Sequence, residues 1–205
     1  SVEQVFDLGS QPLANALQLS SNDSEMTFPL SVSFCHKSKL LQLDQTVDRN
    51  ILFSRYTWVT GTSKGAIDWA KEFVSYCLKT VALNASDLIL EVASNDGTYL
   101  KKFKAAGCTN ILGVEPAANI AQLANRSGVP TIETFWDQEV AKDITREYGH
   151  AKLVIARNVI PHVSDLLGAV SGISEVLHQD GVAAIEFHYA GEILGGLQYD
   201  SIYHE

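Results

Sequence analysis

Two carboxylates flanking a small-residue turn are the residues of this chain best spaced to do chemistry. Glu91 ends the apolar run Leu88-Ile89-Leu90 and opens the turn Val92-Ala93-Ser94-Asn95-Asp96-Gly97. Glu115 lies in Gly113-Val114-Glu115-Pro116, eighteen positions after Gly97. A turn of small residues lets backbone N–H groups approach a ligand, and a carboxylate at the end of the next strand accepts both hydroxyls of a ribose. The offset agrees with the roughly 20 residues expected between glycine turn and ribose acid. Taken alone, the turn is an ordinary strand-to-helix connection and Glu115 a surface acid. Their spacing, within a strand-helix alternation, favours a nucleotide-type site at the carboxyl edge of a parallel sheet.

The glycine pattern indicates which nucleotide. A dinucleotide fingerprint needs G-x-G-x-x-G, because a pyrophosphate must approach bare backbone. Here the turn has one glycine, Gly97, and is rich in Ser94, Asn95 and Asp96. Polar side chains and a carboxylate suit a zwitterionic amino-acid tail better than a pyrophosphate. S-adenosylmethionine (SAM) carries such a tail on an adenosine, so it fits better than NAD. The candidate cofactor-binding set is Glu91, Ala93, Ser94, Asn95, Gly97, Glu115 and Pro116, with Phe135 beside the adenine and Asn158 after a later strand. Trp136, next to Phe135, reads as core.

The elements that must position these residues follow from periodicity. Apolar runs predict strands at 88–93, 110–115, 130–133, 151–157 and 181–187, with helices near 97–106, 117–127, 137–148 and 164–178. Leu153-Val154-Ile155-Ala156 and Val182-Ala183-Ala184-Ile185 are continuous apolar runs, as in strands covered on both faces. Repeated alternation implies a parallel, doubly wound α/β sheet of Rossmann-like type. Residues 64–82 carry a helical stripe through Ile67, Ala70, Phe73, Val74, Cys77, Leu78 and Val81. Before it, short apolar pieces alternate with Gly, Pro, Asn and Ser, predicting a small irregular β-rich unit. The expected organisation is an N-terminal unit over 1–60, a cofactor domain over 61–190, and the start of a further region at 191–205.

Composition narrows the class. The 205 residues are 46% hydrophobic and 19% charged, which reads as globular. A net charge of −9 argues against nucleic acid, since phosphate binding needs clustered Lys and Arg. Three widely spaced cysteines, Cys35, Cys77 and Cys108, predict reduced thiols and a cytoplasmic setting. No apolar run reaches membrane-spanning length, so no membrane partner is expected. The sequence carries no signal for the oligomeric state.

Five motifs in order resemble the sugar C-methyltransferases, SAM-dependent enzymes that methylate a carbon of nucleotide-linked keto-deoxysugars. Asp7-Leu8-Gly9-Ser10-Gln11-Pro12-Leu13-Ala14-Asn15 is similar to the family's D-L-G-x-Q-P-L-A-N segment, and Tyr56-Thr57-Trp58-Val59-Thr60-Gly61-Thr62-Ser63 to its Y-x-[YW]-x-[ST]-G-T-S segment. Glu91 to Gly97 resembles E-[IV]-G-x-N-D-G, with Ala93 where the family has glycine. Asn158-Val159-Ile160-Pro161-His162 resembles the segment carrying a functional histidine, and Tyr199 to Glu205 the start of F-D-x-I-Y-x-E-H.

The resemblance implies a class I SAM-methyltransferase fold, SAM as cofactor with S-adenosylhomocysteine (SAH) as product, and a small nucleotide-sugar as substrate. It places the general base in a histidine following Glu205. It gives Trp58, His162, Tyr203 and Glu205 roles in binding or orienting substrate, with His162 the only matched base candidate within the chain. The same residues also have plainer readings: His162 as a solvated loop residue, Trp58 as a packing indole, Tyr203 and Glu205 as frayed ends. The family's zinc site uses two Cys pairs, of which Cys35-His36-Lys37-Ser38 keeps one thiol. No metal is therefore expected, since adjacent Cys and His cannot make a closed four-coordinate shell. The alternative function is a truncated, non-catalytic SAM-binding remnant of that family.

Overall fold

A computed structural model describes residues 1–18, 20 and 24–204. By contact the chain divides into two units: residues 1–53 with 188–205, and residues 54–187. The smaller unit begins with three antiparallel strands in the order β1-β2-β3: β1 (Val2–Pro12), β2 (Thr27–Cys35) and β3 (Leu40–Leu43). The register pairs Phe6 with Val32 and Val32 with Leu43. β1 is irregular between Gln4 and Phe6 and between Asp7 and Ser10, where Gly9 has a left-handed backbone. Leu30, Val32 and Ser33 are its buried strand residues. Asp44 ties the sheet together: its carboxylate accepts from Ser31 Oγ at 2.7 Å and Gln4 Nε2 at 3.4 Å. Hydrogen bonding from the Ser33 side chain first, then from Ser31 and Gln4, holds its pKa below the ordinary value. A short helix, α1 (Arg49–Phe53), follows.

The larger unit opens with α2 (Lys64–Thr80), capped by Ser63, whose side chain accepts from the Ala66 N–H. Strands and helices then alternate: β4 (Ile89–Val92), α3 (Thr98–Ala105), β5 (Ile111–Val114), α4 (Ala118–Arg126), β6 (Thr131–Ile132), α5 (Gln138–Tyr148), β7 (Ala151–Arg157), α6 (Leu166–Val176) and β8 (Leu177–Glu186). All five strands pair in parallel, in the order β6-β5-β4-β7-β8. The order reverses beside β4, and ligands of open α/β sheets bind at the carboxyl ends of strands at such a switch point.

Both faces of the central strands are covered, whereas β8, expected from its apolar run to be covered on both faces, is an edge strand that leaves Val182 and Ile185 exposed. Ile89, Ile111, Leu153 and Ile155 pack with Val74 and Cys77 of α2, Leu100 and Phe103 of α3, and Ala124 of α4. Their alternates Leu90, Val92, Leu112, Val114, Val154 and Ala156 pack with Ala141 and Ile144 of α5 and Ala169, Ile173 and Val176 of α6. The period of two along each strand sends successive side chains to opposite helical layers, giving the doubly wound sandwich expected from the sequence. The largest boundary difference from the sequence reading is at β8, which starts at Leu177, whereas periodicity runs the preceding helix to 178 and starts the strand at 181. Leu177 already pairs with Ala151, and a register shift before Leu153–Val182 accommodates the extra residues. The chain then forms α7 (Ala190–Gly195), within the smaller unit. Among the described residues no helix is long and apolar enough to cross a membrane.

Candidate cofactor site

The turn after β4 places a left-handed residue at every second position: Ala93, Asn95 and Gly97 have φ of 53°, 50° and 73°. Gly97 is required twice over. Its backbone is left-handed, and a Cβ there would lie 2.9 Å from Val129. Ala93 has no such freedom and holds a conformation that costs an L-residue roughly 1–2 kcal/mol. The turn is fastened by the Ser94 N–H to the Val114 carbonyl and the Gly97 N–H to the Ser94 carbonyl, both 3.0 Å.

Glu115 is the keystone of this edge. It is buried, and its two carboxylate oxygens accept 2.9 Å bonds from different loops: Oε2 from the Asn95 N–H, Oε1 from the Ala117 N–H at the start of α4. Burial pushes its pKa up, and those two N–H groups oppose the shift. A carboxylate offers about four lone-pair sites, so two remain for hydroxyl donors. Asp96, also buried, accepts from the Thr98 N–H at 3.2 Å and Thr98 Oγ1 at 2.7 Å, and lies 3.7 Å from Lys101 Nζ.

Glu91 is fully desolvated. Burial raises its carboxyl to about 8, Arg157 pulls it down, and Asp96 and Glu115 push it up. Its Oε2 is buried with no hydrogen-bond partner. Asp96 and Glu115 beside this turn favour a cation, such as the ammonium of an amino-acid tail, and such a cation would in turn draw Glu91 toward its ionised form. The buried orphan oxygen at Glu91 fits that donor.

The remaining predicted residues fall on neighbouring strand ends or elsewhere. Ser94 is buried, with its Oγ against Gly113 of β5. Pro116 is half-buried in the β5–α4 loop. The carbonyl of Trp58 accepts from Asn95 Nδ2 at 3.0 Å, and its side chain is half exposed. Asn158 follows β7 with φ 50°, and His162 is half-buried in the 3-10 turn Ile160–His162 just beyond. Phe135 is half-buried after β6, while Trp136 joins the core and donates to the Ala169 carbonyl at 3.0 Å. Tyr203 belongs to the smaller unit, and Glu205 lies outside the described residues.

The sequence reading missed a second cluster at this edge. Arg157, at the end of β7, stacks 3.6 Å from the Tyr99 ring centroid and 5.6 Å from that of Phe73. Its guanidinium donates to both oxygens of Glu186 at 3.3 and 3.2 Å, and Trp69 Nε1 donates to Glu186 Oε2 at 3.1 Å. The one signal for it is an arginine closing the apolar run Leu153–Ala156. Asn119, on the first turn of α4, was missed too; its side chain bonds the main chain of Tyr56.

In the smaller unit, Cys35 is a free thiol whose pKa is lowered to about 7, chiefly by the Ser38 hydroxyl. His36 Nε2 lies 2.9 Å from Glu3 Oε2. Among the described residues no group of three or more His, Cys, Asp or Glu is placed to hold a metal ion.

Comparison with known proteins gives this geometry a family context. A family model described as a putative zinc binding domain matches residues 1–53, and one described as a methyltransferase domain matches residues 67–195. The zinc description belongs to the matched family; Cys35 and His36, engaged as above, do not by themselves compose such a centre. The chain is 34% identical over 203 residues to the C-methyltransferase NovU of Streptomyces niveus, covering 98% of this chain and 48% of that protein. The chain thus spans about half the length of the curated relative it matches. Two solved structures share the fold at low identity. A chain in the complex between the Haloferax volcanii Trm112 methyltransferase activator and a putative methyltransferase aligns with TM-score 0.52 and 13% identity, over 69% of this chain and 63% of that one. The plantazolicin methyltransferase BpumL, crystallised with a triazolic desmethylPZN analog and SAH, aligns with TM-score 0.50 and 16% identity, over 63% and 49%. Matched by the methyltransferase model over more than half its length, the chain belongs to the methyltransferase-domain family.

Proposed function

We propose that this chain binds SAM at the carboxyl edges of β4 and β5 and forms part of an enzyme that methylates a carbon of a nucleotide-linked 4-keto-deoxysugar. The observation that carries the cofactor reading is Glu115: a buried carboxylate pinned by two backbone N–H groups, with lone pairs left for two ribose hydroxyls. Glu91, with its orphan oxygen, suits the ammonium of the methionine tail. The substrate class is supported by the five sequence motifs and by similarity to a C-methyltransferase along nearly the whole chain.

Bound SAM would supply an electrophilic methyl group on sulfonium. Methylating carbon also needs a carbon nucleophile, generated by removing the proton next to a ketone. A base would take that proton so that the enolate carbon could accept the methyl group, the S–C bond electrons remaining on sulfur and SAH being left as product. The protein's task is to hold base, carbon and methyl in line and to stabilise the enolate oxygen. His162, Trp58, Tyr203 and Glu205 are assigned to substrate binding or orientation, with His162 the base candidate within the chain.

Calorimetric titration tests the cofactor reading. SAM is expected to bind and NAD not. Glu115→Gln keeps the shape but removes the charge, and should weaken SAM by roughly 1.5–3 kcal/mol, about 10- to 150-fold. Unchanged affinity in that variant would falsify the ribose assignment.

A further inference from the structure

Residues 56–61 cross the loops after β4 and β5 as a strap that runs over 56–59 without regular structure, enters the 3-10 turn Thr60–Thr62, and is held at three points. Asn119 Oδ1 accepts from the Tyr56 N–H at 3.2 Å, and its Nδ2 donates to the Tyr56 carbonyl at 2.8 Å. Asn95 makes the second pin: Oδ1 accepts from the Thr60 N–H at 2.8 Å and Nδ2 donates to the Trp58 carbonyl at 3.0 Å. The third is a close approach at Gly61, where a Cβ would collide with the Asp96 carboxylate and lie 3.0 Å from Thr98 Oγ1. The two side-chain amides imitate strand pairing where no strand exists. Asn95 and Asp96 belong to the turn that carries the candidate cofactor residues, and Asn119 to the first turn of α4 just beyond Pro116.

Asn95 joins the strap to the ribose acid directly. Its main-chain N–H is held by Glu115 Oε2 at 2.9 Å while its side chain holds residues 58 and 60. The left-handed backbone of Asn95 makes this double engagement possible, turning main chain and side chain to opposite loops. A ligand on Glu115 that orders this N–H also orders the amide that sets the height of Trp58.

We propose that Asn95 and Asn119 are positioning residues that clamp the strap Tyr56–Gly61 and thereby couple cofactor occupancy at Glu115 to the placement of Trp58. This rests on the cofactor reading given above. By linkage, a strap tightened by cofactor must in turn tighten the cofactor.

Hydrogen exchange of peptides covering 56–62, with and without SAH, tests the clamp alongside calorimetric SAH affinity. In the wild-type chain the strap amides should be protected, and SAH should slow their exchange several-fold further. Asn119→Ala suits the first turn of a helix, and Asn95→Gly accepts a positive φ, so both variants should fold; thermal unfolding checks this. Each should lose the SAH-dependent slowing in 56–62 and bind SAH roughly 5-fold or more weakly. Gly61→Ala, which lifts the strap off Asp96, should do the same. Wild-type SAH binding with unaltered affinity and strap protection in all three variants would overturn the clamp alone. No SAH binding by the wild-type chain would overturn the cofactor reading and the coupling with it.

Discussion

At the residue scale, two residues store free energy against the fold, Glu91 near the end of β4 and Ala93 in the turn that follows it. Ala93 holds φ at 53° without glycine's freedom. Ala93→Gly removes the left-handed penalty of roughly 1–2 kcal/mol and adds back part of it as unfolded-state entropy, for a net gain of about 0.5–1 kcal/mol. Thermal unfolding should rise by about 1–4 °C, and SAM binding should stay equal or tighten. A lower midpoint would show that the turn needs the Ala93 methyl. Glu91 acts in the opposite sense to a paired carboxylate. Burial holds its folded pKa near 8, well above its unfolded value. Between those two values the folded state binds more protons than the unfolded one, so stability is full at acidic pH and falls as pH rises toward 8. The loss is on the order of a few kcal/mol. Glu91→Gln should flatten that slope in denaturant titrations at pH 5 to 9, and an unchanged slope would place the titrating group elsewhere. Glu115 adds to the same trend, since burial raises its pKa as well.

At the scale of elements, the carboxyl edge is held by side chains that bridge neighbouring strand ends. Glu115 joins the β4 turn to the start of α4, and Arg157 joins the end of β7 to the end of β8 through Glu186. The Arg157–Glu186 pair is largely shielded, bidentate and stacked on Tyr99, so it is worth more than a surface ion pair. Arg157→Met keeps the stem and leaves Glu186 without its cation. The expected cost is about 2–3 kcal/mol, below the cost of breaking a fully buried pair. It also removes the positive charge that restrains Glu91, so the pH-dependent loss of stability should move to higher pH. A variant as stable as wild type, with the same pH profile, would contradict both statements. The helices α2 to α6 of the larger unit were readable because each carries an apolar stripe, whereas the short α1 and α7 were not. The bridging residues were not, since an arginine or asparagine at a strand end looks the same whether it is solvated or bonded across a loop.

At the scale of the whole molecule, the two ends of the chain meet in one unit. His204 is buried, its Nε2 lies 3.0 Å from the Phe28 carbonyl of β2, and its ring packs edge-on against Phe28 at 6.0 Å. His204→Ala should release the 188–204 segment, speeding hydrogen exchange in residues 199–204 by roughly the 10-fold that one lost hydrogen bond and ring contact allow. Residues 88–93 should keep their protection, and equal exchange in both regions would break the link between tail and β2. The sequence by itself determined the parallel doubly wound sheet, the strand order of events along the chain, the turn from Glu91 to Gly97 and the acid at Glu115. Those features are written as local periods and short spacings, and the burial of Ile89, Ile111, Leu153 and Ile155 against one helical layer enforces them. Only the tertiary structure decided that Glu115 is already pinned by Asn95 and Ala117, that Asn119 clamps Tyr56 from 63 residues away, and that Arg157 pairs with Glu186. It also decided that residues 188–205 join the N-terminal strands. Apart from the Glu115–Ala117 bond, which spans two residues, these contacts join segments at least 20 residues apart, with partners fixed by how the fold stacks its loops, and such contacts leave no periodic trace in the chain.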